Sequence, residues 1–279
     1  MNTAIAFIGG GNMASSLIGG MIAASFEAGQ ILVSEPNADT RKLLQERFHV
    51  QVTDSNPETL DLDVVILAVK PQQLQSICRQ LAPLKEKSGH EHGPLFISIA
   101  AGVRSNDINR WLGGSNAIVR CMPNTPALLQ SGATALYSND KATDTQKKLA
   151  ENIMSSVGLA AWVESENELD AVTALSGSGP AYFFLLMEAM QSAGKELGLD
   201  EALAKKLTIQ TALGAARMAD RSNEEIMTLR KQVTSKGGTT ESAINCLENS
   251  HFQQLVKAAI KEARNRSITL ADELGRDQS

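Results

Sequence analysis

Ala4-Ile5-Ala6-Phe7-Ile8-Gly9-Gly10-Gly11-Asn12-Met13-Ala14 is the stretch whose reading decides the fold. An apolar run ends in three glycines. Asn12 then opens a segment with Met13, Leu17, Ile18, Met21 and Ile22 at helical spacing. A buried strand, a tight turn and a helix reaching Ala28 are expected. The glycines and Ala14 fit G-x-G-x-x-A in the strand–turn–helix setting that this fingerprint requires. Gly9 permits the turn, Gly11 lets the backbone approach a pyrophosphate, and Ala14 lets helix and strand pack closely. The free amides of the helix start then face the anion. A dinucleotide is the expected ligand, with Ile8, Gly9, Gly10, Gly11, Asn12 and Met13 forming its cradle.

The chain continues in the same alternation. Ile31 to Ser34 reads as a second strand, followed by a polar helix near Thr40 to Phe48. Asp63 to Val69, Leu95 to Ile99 and Ala117 to Cys121 are further continuous apolar runs, and Thr134 to Ser138 and Ala160 to Val163 are candidate edge strands. Unbroken apolar runs indicate strands covered by helices on both faces. Strand–helix alternation of this kind gives a doubly wound parallel sheet. After Glu164 the strand signals stop, and Glu168–Leu175, Pro180–Leu197, Glu201–Ala219, Glu224–Val233, Thr240–Leu247 and Phe252–Leu274 all read as helices. The predicted fold is α/β: a Rossmann-like sheet domain over 1–163, then an all-helical domain over 164–279.

Composition narrows the function. The 279 residues are 43% hydrophobic and 20% charged, enough for a proper core. A net charge of −5 argues against nucleic acid or an anionic membrane as partner. Cys78, Cys121 and Cys246 show no CxxC spacing, and the four histidines no HxxxH, so neither a disulfide framework nor a metal centre is expected. His90 and His92 read as part of a polar surface loop over Lys85–Gly93. Cys121 reads as a small core residue. The uncharged start, Met1 to Phe26, lacks the basic residues of a signal peptide and is broken by glycines, so a cytoplasmic protein is expected.

The end of the second strand, Ser34-Glu35-Pro36-Asn37, bears on the cofactor. A carboxylate there suits the ribose hydroxyls of NAD. Ser34, Asn37 and Arg41 could instead surround a 2′-phosphate, with Glu35 turned outward. Both alternatives stay open, with NADPH the expected cofactor and NADH possible because of Glu35. Ala68, Val69, Lys70 and Pro71 end another strand and should line the groove, as should Ala100, Ala101 and Gly102, whose small size admits a nicotinamide ring. Asn56, and Asn124 in the stiff segment Met122-Pro123-Asn124-Thr125-Pro126, complete the expected cofactor set.

GGGNMA, AVKP, SIAAG, MPNTP, Leu175-Ser176-Gly177-Ser178-Gly179-Pro180-Ala181-Tyr182 and Ser235-Lys236-Gly237-Gly238-Thr239-Thr240 follow in this order. In these motifs the chain resembles the pyrroline-5-carboxylate reductases over nearly its whole length. The resemblance implies reduction of 1-pyrroline-5-carboxylate to L-proline with NADPH or NADH, and dimers interlocked through the helical domain, assembled in some cases into decamers. Lys236 stands where many members have proline, which removes a rigid φ.

The residues agree with that chemistry. A protonated cyclic imine needs orientation on the nicotinamide more than a proton-transfer base. The motifs hold no histidine or carboxylate pair of the kind alcohol dehydrogenation requires. The substrate carboxylate needs donors, and two glycine-rich helix starts offer them: Ser178-Gly179-Pro180, and Gly237-Gly238-Thr239-Thr240. Ser176, Gly177, Ser178, Gly237, Gly238, Thr239 and Thr240 are therefore the expected substrate residues, and the resemblance places the Thr240 hydroxyl near the imine nitrogen. A β-hydroxyacid dehydrogenase would need a catalytic lysine early in the second domain, yet none lies between Ala171 and Ala193. A non-catalytic NADP sensor would have no need of the two substrate motifs. The apolar helix Ala181–Met190 and the small-residue run Thr211–Ala216 point to a symmetric dimer built on these helices.

Overall fold

The computed structural model describes residues 3–85 and 93–277; His90 and His92 of the expected polar loop lie outside them. The chain forms two compact units. One comprises the residues up to Ser178 together with those from Ala263 onward, and the other is Gly179–Glu262.

In chain order the first unit holds β1 (Ile5–Ile8), α1 (Asn12–Ala23), β2 (Ile31–Ser34), α2 (Ala38–Phe48), β3 (Gln51–Thr53), β4 (Val64–Leu67), α3 (Pro71–Lys85), β5 (Leu95–Ser98), α4 (Ser105–Trp111), β6 (Ile118–Met122), β7 (Gly132–Ser138), α5 (Asp144–Ser155), β8 (Gly158–Trp162) and α6 (Glu168–Val172). The strands form one sheet in the order β3-β2-β1-β4-β5-β6-β7-β8. The first six are parallel, β7 runs antiparallel to β6, and β8 is parallel to β7. The order 3-2-1-4-5-6 is that of a doubly wound dinucleotide fold.

The continuous apolar runs have the predicted cause. Ile5, Phe7, Val64, Ile66, Leu95 and Ile97 feed a core on one sheet face with Leu17, Ile18 and Met21 of α1. Ala6, Ile8, Val65, Leu67 and Phe96 feed the other, with Leu74, Cys78 and Leu81 of α3 and Ile108 and Trp111 of α4. Alternate side chains thus serve opposite faces, and both faces are covered. The helix expected to reach Ala28 ends at Ala23. Ser25 turns left-handed (φ 70°) and the Phe26 N–H returns to the Met21 carbonyl. β3 carries no apolar run of its own, with an exposed Gln51 and half-buried neighbours.

Charge also holds this unit together. Arg120 sits inside β6 and its Nη1 donates to Glu166 at 2.7 Å; the side chains are only 8% and 14% exposed. Glu166 also accepts the Ser105 N–H and hydroxyl at 2.5 and 2.9 Å. Arg104 donates to Asp170 at 2.9 Å, and Asp170 accepts the Ser267 hydroxyl at 2.8 Å. The network joins β6, α4, α6 and the chain's last helix. Beyond that helix, Asp277 accepts from Arg79 at 2.8 Å and from the Trp111 indole at 3.3 Å.

The second unit is helical, with α7 (Gly179–Glu196), α8 (Glu201–Arg221), α9 (Ile226–Gln232), α10 (Thr239–Asn249) and the first part of α11 (Phe252–Leu274). Gly198 (φ 93°) closes α7 with Leu199 N–H on the Gly194 carbonyl, and Asp200 caps α8 through the Leu203 N–H. The result is an αα-hairpin. Phe183 and Phe184 are each 64% exposed, and Leu185, Leu207, Ile209 and Met218 also face outward. This is far more apolar surface than a lone helical unit keeps in water. Among the described residues no helix is long and apolar enough to cross a membrane.

Removing one partner of a buried pair strands the other charge. Arg120→Ala is expected to destabilise the protein by about 3 kcal/mol, whereas Lys42→Ala, which breaks the exposed pair with Glu46, should cost at most about 0.5 kcal/mol. Denaturant titration of both variants checks the contrast; equal effects would contradict it.

Candidate active site

The glycine turn lies at the carboxyl ends of β1, β2 and β4. Gly9 has φ 99° and donates its N–H to the Ser34 carbonyl at 2.8 Å. A Cβ on Gly9 would lie 2.7 Å from the Ala68 carbonyl oxygen, and one on Gly10 2.6 Å from Leu44 Cδ1. Gly11 differs: no other described atom lies within 4 Å of where its Cβ would be. It is the exposed N-cap of α1 and no side chain caps that helix. Asn12, Met13 and Ala14 follow with their amides at the open end. A closed inner wall and an uncapped, side-chain-free outer edge fit a pyrophosphate, which α1 would hold by its N-terminal amides.

Glu35 is turned inward, not outward. It accepts the Gly10 N–H at 2.8 Å and the Asn37 N–H at 3.0 Å. Arg41 is bound to the carbonyls of Glu35 and Pro36 at 2.6 and 2.9 Å and approaches Asp54 at 3.5 Å. The Ser34 hydroxyl donates to Asn56 Oδ1 at 2.7 Å, and Asn37 Oδ1 caps α2 through the Thr40 N–H. These residues form one hydrogen-bonded corner beside the glycine turn. The half-buried Ala68 and Val69 and the exposed Lys70 follow β4, with Pro71 opening α3. Buried Ala100, half-buried Ala101 and Gly102 (φ 73°) follow β5. All these strand ends share one edge of the parallel sheet.

Asn124, just past β6, reaches a different partner. Its Oδ1 accepts the Ala133 N–H at 2.9 Å and its Nδ2 donates to the Ser176 carbonyl at 3.0 Å. Ser176 lies in a π-helical turn, Thr173–Gly177, in which the Ser178 N–H bonds the Thr173 carbonyl at 2.8 Å. This corrects the expected free amide at Ser178: α6 leads directly into the π-turn, and the Ser178 N–H is engaged by that turn before α7 begins at Gly179. Single π-turns are frequent at functional sites. The sequence reading missed this turn. It also missed Arg120, although an arginine inside an apolar strand is a visible signal of a buried partner.

The second expected helix start is present, in the helical unit. Ser235-Lys236-Gly237-Gly238 forms a β-turn, closed by the Gly238 N–H on the Ser235 carbonyl at 3.0 Å with Gly237 at φ 74°. That is the type II pattern, in which proline is favoured at the place Lys236 holds. Gly238 is the N-cap of α10 and contributes no side-chain cap. Glu241 accepts the Gly237 N–H at 2.7 Å. The exposed Thr239 and Thr240 carry uncapped first-turn amides and hydroxyls. The thiols play no such part. Burial pushes Cys78 up to about 12 and raises Cys121 further, the nearby Arg120 offsetting only part of it.

Sheet order and glycine turn define a dinucleotide-dependent oxidoreductase of the Rossmann class. A family profile described as pyrroline-5-carboxylate reductase dimerisation matches residues 166–270, and one described as NADP oxidoreductase, coenzyme F420-dependent, matches residues 4–102. The pyrroline-5-carboxylate reductase of Pseudomonas aeruginosa is 50% identical over 97% of this chain and 98% of its own. The solved structure of that enzyme from Coxiella burnetii superposes with a TM-score of 0.91 at 44% identity, covering 97% of this chain and 99% of the other. The Plasmodium falciparum pyrroline carboxylate reductase, solved with NADP bound, gives 0.83 at 29% identity, covering 97% and 98%. The chain belongs to the pyrroline-5-carboxylate reductase family.

The glycine geometry separates two kinds of damage. Gly9→Ala should destabilise the fold by about 2 kcal/mol or more, because its Cβ meets backbone at a left-handed φ. Gly11→Ala should leave the melting temperature unchanged while weakening dinucleotide binding about tenfold, its methyl standing where the pyrophosphate approaches. Thermal melts with fluorescence titration of NADPH measure both; a destabilised Gly11→Ala would contradict the assignment.

Proposed function

We propose that the chain reduces 1-pyrroline-5-carboxylate to L-proline, the last step of proline biosynthesis, as an NADPH-dependent reductase that also accepts NADH. The observation that carries this reading is 50% identity to a pyrroline-5-carboxylate reductase along nearly the full length of both chains. A bound reduced nicotinamide supplies hydride to the imine carbon, and the protonated imine nitrogen becomes the secondary amine of proline. The protein's task is then to bind and orient.

Gly9, Gly10, Gly11, Asn12 and Met13 cradle the pyrophosphate, and Ile8, Ala68–Pro71 and Ala100–Gly102 line the groove. NADPH is favoured because the Plasmodium relative was solved with NADP; the inward Glu35 carboxylate, held by the Gly10 and Asn37 amides, is the feature that leaves NADH acceptable. Ser34, Asn37, Arg41 and Asn56 surround the 2′-phosphate. The uncapped start of α10, Gly237–Thr240, binds the substrate carboxylate, with Ser176, Gly177 and Ser178 as the second substrate segment. The Thr240 hydroxyl is the catalytic group, hydrogen-bonded to the reacting nitrogen. We divide the chain functionally at 163/164, into a dinucleotide-binding part and a substrate-binding and dimerisation part. The outward apolar side chains of α7 and α8 support a homodimer through this second part, and a decamer assembled from such dimers, in the cytoplasm, is the proposed full assembly.

Oxidation of NADPH, and separately NADH, by 1-pyrroline-5-carboxylate, followed by loss of nicotinamide absorbance with proline confirmed as product, tests the reaction. Turnover with a higher kcat/KM for NADPH is expected; cofactor binding without turnover would overturn the reading. Thr240→Ala is expected to lower kcat/KM by about 10- to 100-fold, the value of one hydrogen bond to a charged group. An unchanged kcat/KM would remove its hydroxyl from the transition state.

A further inference from the structure

We infer that Asn124 is a positioning residue for the substrate: it holds the Ser176–Ser178 turn by donating to a carbonyl whose α-helical (i+4) donor is missing. The inference rests on the reading of Ser176–Ser178 as substrate-binding. In an α-helix the carbonyl of residue i accepts from the N–H of residue i+4. For Ser176 that residue is Pro180, whose nitrogen carries no hydrogen. Proline also crowds the carbonyl four residues before it, and here the backbone widens into the π-turn Thr173–Gly177. A buried or half-buried carbonyl left without a donor is costly. Asn124 Nδ2 supplies the donor, at 3.0 Å.

The bracket is rigid at its other end. Asn124 follows β6 directly, and its Oδ1 accepts the Ala133 N–H of β7 at 2.9 Å. One partner is a donor and the other an acceptor, so the orientation of the amide is fixed. The Asn124 carbonyl accepts the Ala127 N–H at 3.1 Å, which braces the loop from behind. Met122 adds packing, its Cε lying 2.6 Å from where a Gly177 Cβ would be. Asn124 therefore ties the substrate turn to the sheet edge that carries the dinucleotide groove, and it acts through Ser176 without touching the reacting atoms.

Asn124→Asp isolates the bond. The substituted side chain still accepts from Ala133, but while ionised it turns an oxygen toward the Ser176 carbonyl. Protonation of the introduced carboxyl restores a donor, and the facing carbonyl favours that neutral form. Relative to wild type, kcat/KM for 1-pyrroline-5-carboxylate should fall at least about tenfold near pH 8 and recover several-fold near pH 5.5, as the raised carboxyl titrates. The loss should appear in the substrate KM, with the NADPH dissociation constant unchanged. Amide hydrogen exchange at Ser178 should accelerate in the variant near pH 8, whether or not substrate is turned over. A pH-independent ratio, or a loss confined to NADPH affinity, would overturn the inference. If wild type fails to reduce the substrate, the functional reading falls, and the Ser178 exchange rate alone then decides whether Asn124 governs the turn.

Discussion

The backbone crossing at Gly9 is the constraint on which the rest of the first unit depends. Its N–H reaches the end of β2 at 2.8 Å, and the Ala68 N–H reaches the Ile8 carbonyl at 2.9 Å. Three strand ends are thereby drawn to a spacing that leaves no room for one Cβ. Everything proposed for the cofactor is arranged around that point. Gly10 can present its N–H to Glu35 only because the turn is this tight, and Glu35 in turn orders Asn37. Leu44 packs where a Gly10 side chain would be, which seats α2 beside the same turn. Loss of the crossing would therefore disturb both the proposed pyrophosphate cradle and the hydrogen-bonded corner around Glu35.

How far this was legible in the sequence varied with the range of the interaction. β1, β4 and β5 are short, buried on both faces and unbroken in apolar character, so composition alone marked them. The helices after Glu164 were equally plain, because α7, α8 and α11 are long and periodic. β3 was not, since its pairing with β2 is made by backbone groups that leave no mark on side-chain type. In the candidate site, the glycine turn and the Gly237–Thr240 helix start were readable because glycine meets a local conformational demand. The direction of Glu35 was not, being set by an amide 25 residues away. The engaged amide of Ser178 was hidden for another reason. Ser-Gly-Pro usually announces a new helix with free first amides, and here a preceding wider turn takes up the Ser178 N–H.

The two proposed substrate segments are built by opposite means. At α10 the N-cap is a glycine with no side chain, and the first-turn amides remain uncapped. At Ser176–Ser178 two backbone groups are taken up, the Ser176 carbonyl by Asn124 from outside and the Ser178 N–H by the Thr173 carbonyl of the same turn. The first arrangement presents donors; the second is braced internally, the Ser176 hydroxyl donating to the Val172 carbonyl at 3.1 Å. Polar ties of the second kind recur behind the site, where Arg104, Arg120, Glu166 and Asp170 anchor α6 just before the π-turn. Partly buried charges of this sort hold one arrangement and penalise others, because any alternative leaves a charge unpaired.

The path of the chain also constrains its synthesis. The sheet unit is discontinuous: its last helical segment, from Ala263 on, is separated from Ser178 by the whole of the helical unit. Ser267, the hydroxyl partner of Asp170, and Leu274, which lies over Gly102, belong to that returning segment. A growing chain emerging at about 5–20 residues per second thus completes its sheet several seconds before the piece that closes it appears. The hydroxyl partner of Asp170 and the cover over Gly102 are therefore late additions to a sheet whose strands have already been made.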